Sequence, residues 1–217
     1  MKQLPEAILF DADGTLFDSE PLQYEATRLA VKDLHDFDFT WELYETHMLR
    51  GSKAGHEVLV DIGIEPVVEE YQALKQDYYA TLVKEKLTVM PGIVEFLQWC
   101  QAEDIKCAVV SASRLSQVKS ALAAVSIQKF FQVIVSGDDT RSTKKPHPFP
   151  FELAVKRINV KPAKAIAVED TAKGITSARA AGLRCVGIRN DTNNNAELAE
   201  ADVVISHYKE LQDFLLK

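Results

Sequence analysis

Short apolar runs that stop abruptly at acid or hydroxyl side chains, each followed by an amphipathic stretch, leave this chain few folds to choose from. Residues 8–10 stop at Asp11, residues 105–110 at Ser111, and residues 165–168 at Glu169 and Asp170, while 131–135, 185–188 and 203–205 are further runs of the same kind. Apolar runs of this length without polar alternation predict strands buried on both faces. Helical spacing fills the gaps, at 91–102, 113–124, 148–157 and 171–181, the last closed by Gly182. Repeated βα units with short connections predict an α/β fold, a doubly wound parallel sheet of the Rossmann-like kind covered by helices.

Between residues 19 and 86 the alternation is interrupted. Ser19 is a predicted N-cap, Pro21 fits a first helical turn, and Leu22, Ala26, Leu29 and Ala30 follow at helical spacing. Further helices are predicted at 41–49, at 53–62 after a Ser52 cap, and at 66–83, where Val67, Tyr71, Leu74, Tyr78 and Leu82 keep the period. The pattern divides the chain into an α/β core domain, 1–18 with 87–217, and a smaller all-helical domain, 19–86, with hinges near 17–20 and 87–91. The longest irregular piece is 137–147, which ends in a Lys-Pro pair, and Asn193 to Asn195 mark a polar surface loop.

The 217 residues suffice for one core domain with a satellite, and 47% hydrophobic with 26% charged residues is the balance of an ordinary globular chain. No apolar run approaches the roughly 18 residues that span a bilayer, and the N-terminus leads into a strand without a signal-peptide pattern. A cytoplasmic protein without membrane association is the expectation. A net charge of -7 argues against a nucleic-acid partner. Cys100, Cys107 and Cys185, an odd number in apolar segments and without metal-ligand spacing, read as buried free thiols.

In an open parallel sheet, ligands bind beyond the carboxyl ends of the strands, so the residues that stop the apolar runs stand where chemistry would occur. Asp11 is a candidate nucleophile or metal ligand, and Asp13, past the turn, can reach the same reacting group from another side. Two carboxylates repel an anionic substrate unless a hard cation such as Mg²⁺ is held with them. Ser111 and the amides after it, from Ala112 onward, can donate to an anionic oxygen, with Ser113 read as the cap of the next helix. Lys145, in KKPHPFPF, is aimed by a proline-restrained backbone and can neutralise both a carboxylate and a bound anion. Glu169 and Asp170 offer further oxygen ligands, and Thr171 or Asp170 can also cap the following helix.

DADGT at 11–15, Ser111 after a strand, Lys145 in KKPHP and VED at 168–170 resemble, in order and spacing, the four motifs of the haloacid dehalogenase superfamily of phosphotransferases. The resemblance runs over essentially the whole chain. It implies that Asp11 is phosphorylated as the nucleophile and Asp13 is the general acid and base. It further implies that Ser111 and Lys145 bind the phosphoryl group, and that Mg²⁺ is held by the Asp11 side chain, the Asp13 carbonyl and Asp170, with Glu169 beside them. The helical insert is similar to the cap of the beta-phosphoglucomutase-like branch, which closes over the substrate and selects it.

Asp13 favours phosphoryl transfer over dehalogenation, because dehalogenases of the superfamily lack it. Mutases of the branch usually carry histidine where this chain has Gln23 and arginine where it has Ala54, and Thr15 is more usual in phosphatases. The expectation is therefore a Mg²⁺-dependent phosphatase for a small phosphorylated metabolite such as a sugar phosphate, with a beta-phosphoglucomutase-type phosphotransferase as the alternative. Arg50, Lys53 and His56 in the cap loop LRGSKAGH are the expected selectivity contacts. Lys53 also admits a Schiff-base reading like that of phosphonoacetaldehyde hydrolases, which the KKPHP and VED stretches disfavour. A non-catalytic binding module on the same fold would be expected to lose a charged station, and none is missing. Oligomeric state is not encoded in any of these motifs, and a monomer is favoured.

Overall fold

A computed structural model describes residues 4–51 and 53–217. It divides into two compact units, 1–18 with 88–217, and 19–87.

The first unit is built on a six-stranded, wholly parallel sheet. In chain order its strands are β1 (Ala7–Phe10), β4 (Lys106–Val110), β5 (Val133–Val135), β6 (Ala165–Glu169), β7 (Arg184–Ile188) and β8 (Val203–Ile205). Their spatial order is β5-β4-β1-β6-β7-β8. Strand β1 is fully buried and pairs on both sides, Phe10 lying level with Val109 of β4 and Val168 of β6. That is why AILF carries no polar position. The strand order reverses at β1, so a crevice opens beyond its carboxyl end.

Alternate β1 residues face opposite layers. Ala7 and Leu9 belong to a core with Phe151 and Ile158 of α8 (Phe149–Ile158) and Ile175 and Ala178 of α9 (Ala172–Ala180). Phe10 meets Phe96 of α5 (Ile93–Ala102) edge-on at 6.3 Å, and Tyr208 of α10 (Tyr208–Leu216) at 6.2 Å. Helices thus cover both faces, with α6 (Leu115–Ala124) following β4. All three cysteines are buried and free. The two short strands β2 (Phe17–Asp18) and β3 (Thr88–Val89) pair antiparallel, Asp18 beside Thr88.

The second unit is helical. It comprises α1 (Glu20–His35), α2 (Trp41–Leu43) running on into a π-helical turn at Tyr44–Leu49, α3 (Gly55–Asp61) and α4 (Val68–Lys86). Val31, Phe39, Tyr44, Leu59 and Tyr71 form its own core. No described helix is long and apolar enough to cross a membrane.

Three local expectations change. Ser19 occupies the N-cap position of α1, but its side chain makes no capping bond. The Ser52 cap lies outside the described residues, and α3 starts later, with the Ala54 amide donating to Glu57 Oε2 at 2.7 Å. The 137–147 piece contains a four-residue helix, α7 (Gly137–Thr140), too short to leave a period in the sequence.

Candidate active site

Register along the sheet edge assembles the site. One residue beyond the Phe10–Val168 pair the Asp11 amide donates to Val168 O at 2.9 Å, and one residue beyond the Val110–Val135 pair the Ser111 amide donates to Val135 O at 2.9 Å, so each leaves its strand in sheet geometry. The chain then turns. Gly14 adopts a φ of +73°, and a Cβ there would lie 2.2 Å from Asp170 Oδ2. Only glycine lets the Asp11–Asp13 turn come this near to Asp170.

Lys145 ties three strands together. Its Nζ donates to Asp11 Oδ1 at 2.5 Å, Glu169 Oε1 at 2.5 Å and Val110 O at 2.8 Å, which engages all three ammonium protons. Its loop is held by Ser177 Oγ of α9, which donates to His147 O at 2.6 Å. Lys145 also lies over the Phe151 ring, 5.2 Å from its centroid. Lys144 takes no part in this cluster.

Glu169 is completely buried. Its carboxylate accepts from Thr171 Oγ1 at 3.3 Å as well as from Lys145, and it occupies the space that a Cβ on Gly174 would need. Thr171 caps α9, accepting from the Gly174 amide at 3.1 Å, so capping falls to Thr171 and Asp170 remains directed at the site.

Asp11, Glu169 and Asp170 each offer an oxygen within 4.8 Å of the others. Burial pushes Asp11 up to about 8, helped by the charges of Glu169 and Asp13 and opposed by Lys145. Burial likewise lifts Asp170 well above the usual carboxylate range, with Asp11 and Glu169 adding to it. Burial alone would lower Lys145, but its two carboxylate partners outweigh it and hold the ammonium above its ordinary value. One lysine is too little positive charge for these acids. Asp170 Oδ1 is buried without a hydrogen-bond partner among the described residues. An all-oxygen donor set with an orphaned carboxylate oxygen fits a hard divalent cation.

Ser111 is 3% exposed, and its Oγ accepts from the Ser113 amide at 3.0 Å, leaving its own proton to donate. Ser113 is not the helix cap it was expected to be. Arg114 holds the N-cap position of α6, and the Ser113 hydroxyl donates to Asp13 Oδ2 at 3.1 Å. Gly137 admits this turn, since a Cβ on it would lie 2.3 Å from Ala112 O.

A network from the loop after β7 was not anticipated. Asn190 Nδ2 donates to Asp170 Oδ2 at 3.0 Å and to Gly14 O at 3.0 Å, while Asn193 Nδ2 donates to Asp170 O at 3.1 Å and Ile188 O at 2.8 Å. Asn193 reads as surface loop because a polar tract carries no period, and nothing in the local spacing singles out Asn190. At the far side of the motif, Tyr208 Oη donates to Thr15 O at 2.8 Å.

In the helical unit the expected selectivity residues sit in local ion pairs. Arg50 pairs with Glu45 at 2.6 Å and Lys53 with Asp61 at 2.5 Å, both pairs solvent-exposed, and His56 is half-buried in α3. Lys75 of α4 lies in the same unit. It is half-buried, and burial lowers its pKa against the opposing charge of Glu20, which itself accepts from Tyr44 Oη.

Comparison with known proteins agrees with this geometry. A sequence model of the haloacid dehalogenase-like hydrolases matches residues 8–188. The chain belongs to that family. A phosphorylated carbohydrates phosphatase of Thermotoga maritima is 30% identical over 201 residues, covering 92% of each chain. A phosphoglycolate phosphatase of Escherichia coli K12 is 28% identical over 231 residues, covering 96% of this chain and 90% of the other. The crystal structure of a CbbY variant from Rhodobacter sphaeroides with xylulose-(1,5)bisphosphate is 28% identical, with a TM-score of 0.82 over 96% of both chains. This haloacid dehalogenase-like protein is thus an enzyme, a phosphoric monoester hydrolase.

Proposed function

We propose that the chain hydrolyses a small phosphorylated sugar or similar metabolite with Mg²⁺, through an aspartyl phosphate formed transiently on Asp11. The observation that carries this reading is Lys145, bonded at once to Asp11 and Glu169 beside the orphaned Asp170 Oδ1. Such a cluster suits an anionic substrate and a hard cation together. Sugar-directed activity is supported by the names of the Thermotoga phosphatase and the CbbY complex.

In this reading Asp11 Oδ attacks phosphorus while Asp13 gives its proton to the leaving oxygen, and Asp13 then takes a proton from the water that hydrolyses the aspartyl phosphate. Lys145 stays on the phosphoryl oxygens, and the Ser111 hydroxyl with the amides from Ala112 onward donates to them. Asp11, Asp170 and the Asp13 carbonyl would hold Mg²⁺, with Glu169 anchoring Lys145 beside them. The cation supplies positive charge that keeps the acids ionised and offsets the substrate dianion. The helical unit acts as a cap whose Arg50, Lys53, His56 and Lys75 select the substrate, and its closure excludes water during transfer.

The deciding experiment is phosphate release with Mg²⁺ across sugar phosphates, nucleotides and short polyol phosphates, with isomerisation of beta-glucose 1-phosphate followed in parallel. Release from a narrow group, lost in Asp11→Asn, supports the phosphatase. Isomerisation without net release would replace it with the mutase reading.

A further inference from the structure

The turn after β4 is clasped along its backbone. Ser113 O accepts from the Gly137 amide at 2.8 Å, the Ser113 amide donates to Ser111 Oγ at 3.0 Å, and the Leu115 amide donates to Asp138 Oδ2 at 2.9 Å. With its backbone held on both sides, Ser113 keeps only the rotation of its own side chain. That rotation sets its Oγ 3.1 Å from Asp13 Oδ2, a residue 100 positions away in the sequence. The capping position of α6 belongs to Arg114, so helix capping does not account for this hydroxyl.

We propose that Ser113 is a positioning residue for Asp13, holding the carboxyl group towards the leaving-group oxygen in both of its protonation states. The inference rests on Asp13 acting as the general acid and base. A hydroxyl suits that task because it has one proton to give and lone pairs to receive. When Asp13 is ionised, Ser113 donates to it. When Asp13 is protonated, the same oxygen can accept from the acid. No proton passes through Ser113: Asp13 loses its proton to the leaving oxygen as the P–O bond breaks, and regains one from the water that hydrolyses the Asp11 aspartyl phosphate. Ser113 acts through the aim of Asp13, and a misaimed acid costs most where the leaving group most needs its proton.

The test uses the full chain with Mg²⁺ and a series of substituted phenyl phosphates, from 4-nitrophenyl, whose oxygen departs without help, to 4-methoxyphenyl, which needs protonation. The measured quantity is kcat/KM, which ends at the first irreversible step and leaves out the later attack of water. Ser113→Ala retains the amide bond to Ser111 and is expected to lose about ten times more on the 4-methoxyphenyl ester than on the 4-nitrophenyl ester, part of the 10²–10⁴-fold available to a general acid. Ser113→Thr, which keeps the hydroxyl, should restore the wild-type dependence on the leaving group. Thermal melting of each variant reports whether the fold is intact. An equal loss across the series, or none, would overturn the positioning role and leave Ser113 a structural residue. Asp13→Asn separates the two levels: if it steepens the dependence while Ser113→Ala does not, only this inference fails, and if it does not, the acid–base reading of Asp13 fails with it.

Discussion

Lys145 lies at the balance point of the site. With side chains of Lys145, Asp11 and Glu169 exposed by only 11%, 13% and 1%, removing the ammonium strands two carboxylates in a poorly solvated place. Lys145→Met is therefore expected to cost about 3 kcal/mol in a urea titration without Mg²⁺, within the range for breaking a buried pair, and roughly 10²-fold or more in kcat. Adding Glu169→Gln should return part of the stability and none of the activity, because it neutralises one stranded acid without replacing the cation. If the two losses simply add, Glu169 is not the partner that Lys145 balances. A second prediction concerns Asn190, whose carboxamide fixes one oxygen of Asp170 and leaves the other bare. Losing an anchor behind a metal ligand typically weakens affinity about 10–100-fold. Titration calorimetry of Mg²⁺ into Asn190→Ala should read a loss of that size, and unchanged binding would show that Asp170 holds its rotamer by packing alone.

Elements divide by how much pattern their length can carry. Five buried residues of β6 or ten amphipathic ones of α5 leave a signal, so the parallel sheet and the strand-end positions of Asp11, Ser111, Glu169 and Asp170 were legible. Two residues in β2 or β3, and four in α7, leave none. Helix α10 was overlooked although Tyr208, Leu211 and Leu215 mark its buried side. Ser113 and Asn190 escaped for a different reason: their roles depend on partners 100 and 20 residues distant, which local spacing does not contain. The smallest helix still carries a measurable charge effect. In α7, Asp139 is pulled down to about 2, first by the hydrogen bond from Arg157 of α8, against the cost of burial and with help from the Ser136 amide and hydroxyl. A folded-state pKa below the unfolded one gives stability that is present above about pH 4 and fades as pH falls towards 2. Solvent reaches this pair, Arg157 being 40% exposed, so about 1 kcal/mol is a discounted expectation. Asp139→Asn should thus lower stability at pH 7 and converge with wild type near pH 2; a constant gap across that range would assign the effect to the lost Ser136 contacts.

At the scale of the molecule, the two units are joined by two neighbouring crossings. Phe17 pairs with Val89 and Asp18 with Thr88, and the Met90 amide continues the ribbon by donating to Leu16 O at 3.0 Å. Leaving and returning strands are therefore side by side before the helical unit begins, and each unit has its own apolar core. A pair of antiparallel residues can be closed by a two-residue turn, for which Asn-Gly supplies the positive φ values required. Replacing residues 19–87 by Asn-Gly should give a core that unfolds in one cooperative transition and binds Mg²⁺ within about threefold of the whole chain, since its sheet, Asp11, Asp170 and Asn190 are all retained. What it should lose is choice. A contact with substrate is worth about 10–200-fold in discrimination, so kcat/KM ratios across the sugar-phosphate panel should collapse by at least about tenfold while aryl phosphate turnover persists. A truncated core that still ranks the panel as the full chain does would place selectivity in the α/β unit and remove the helical unit from substrate choice altogether.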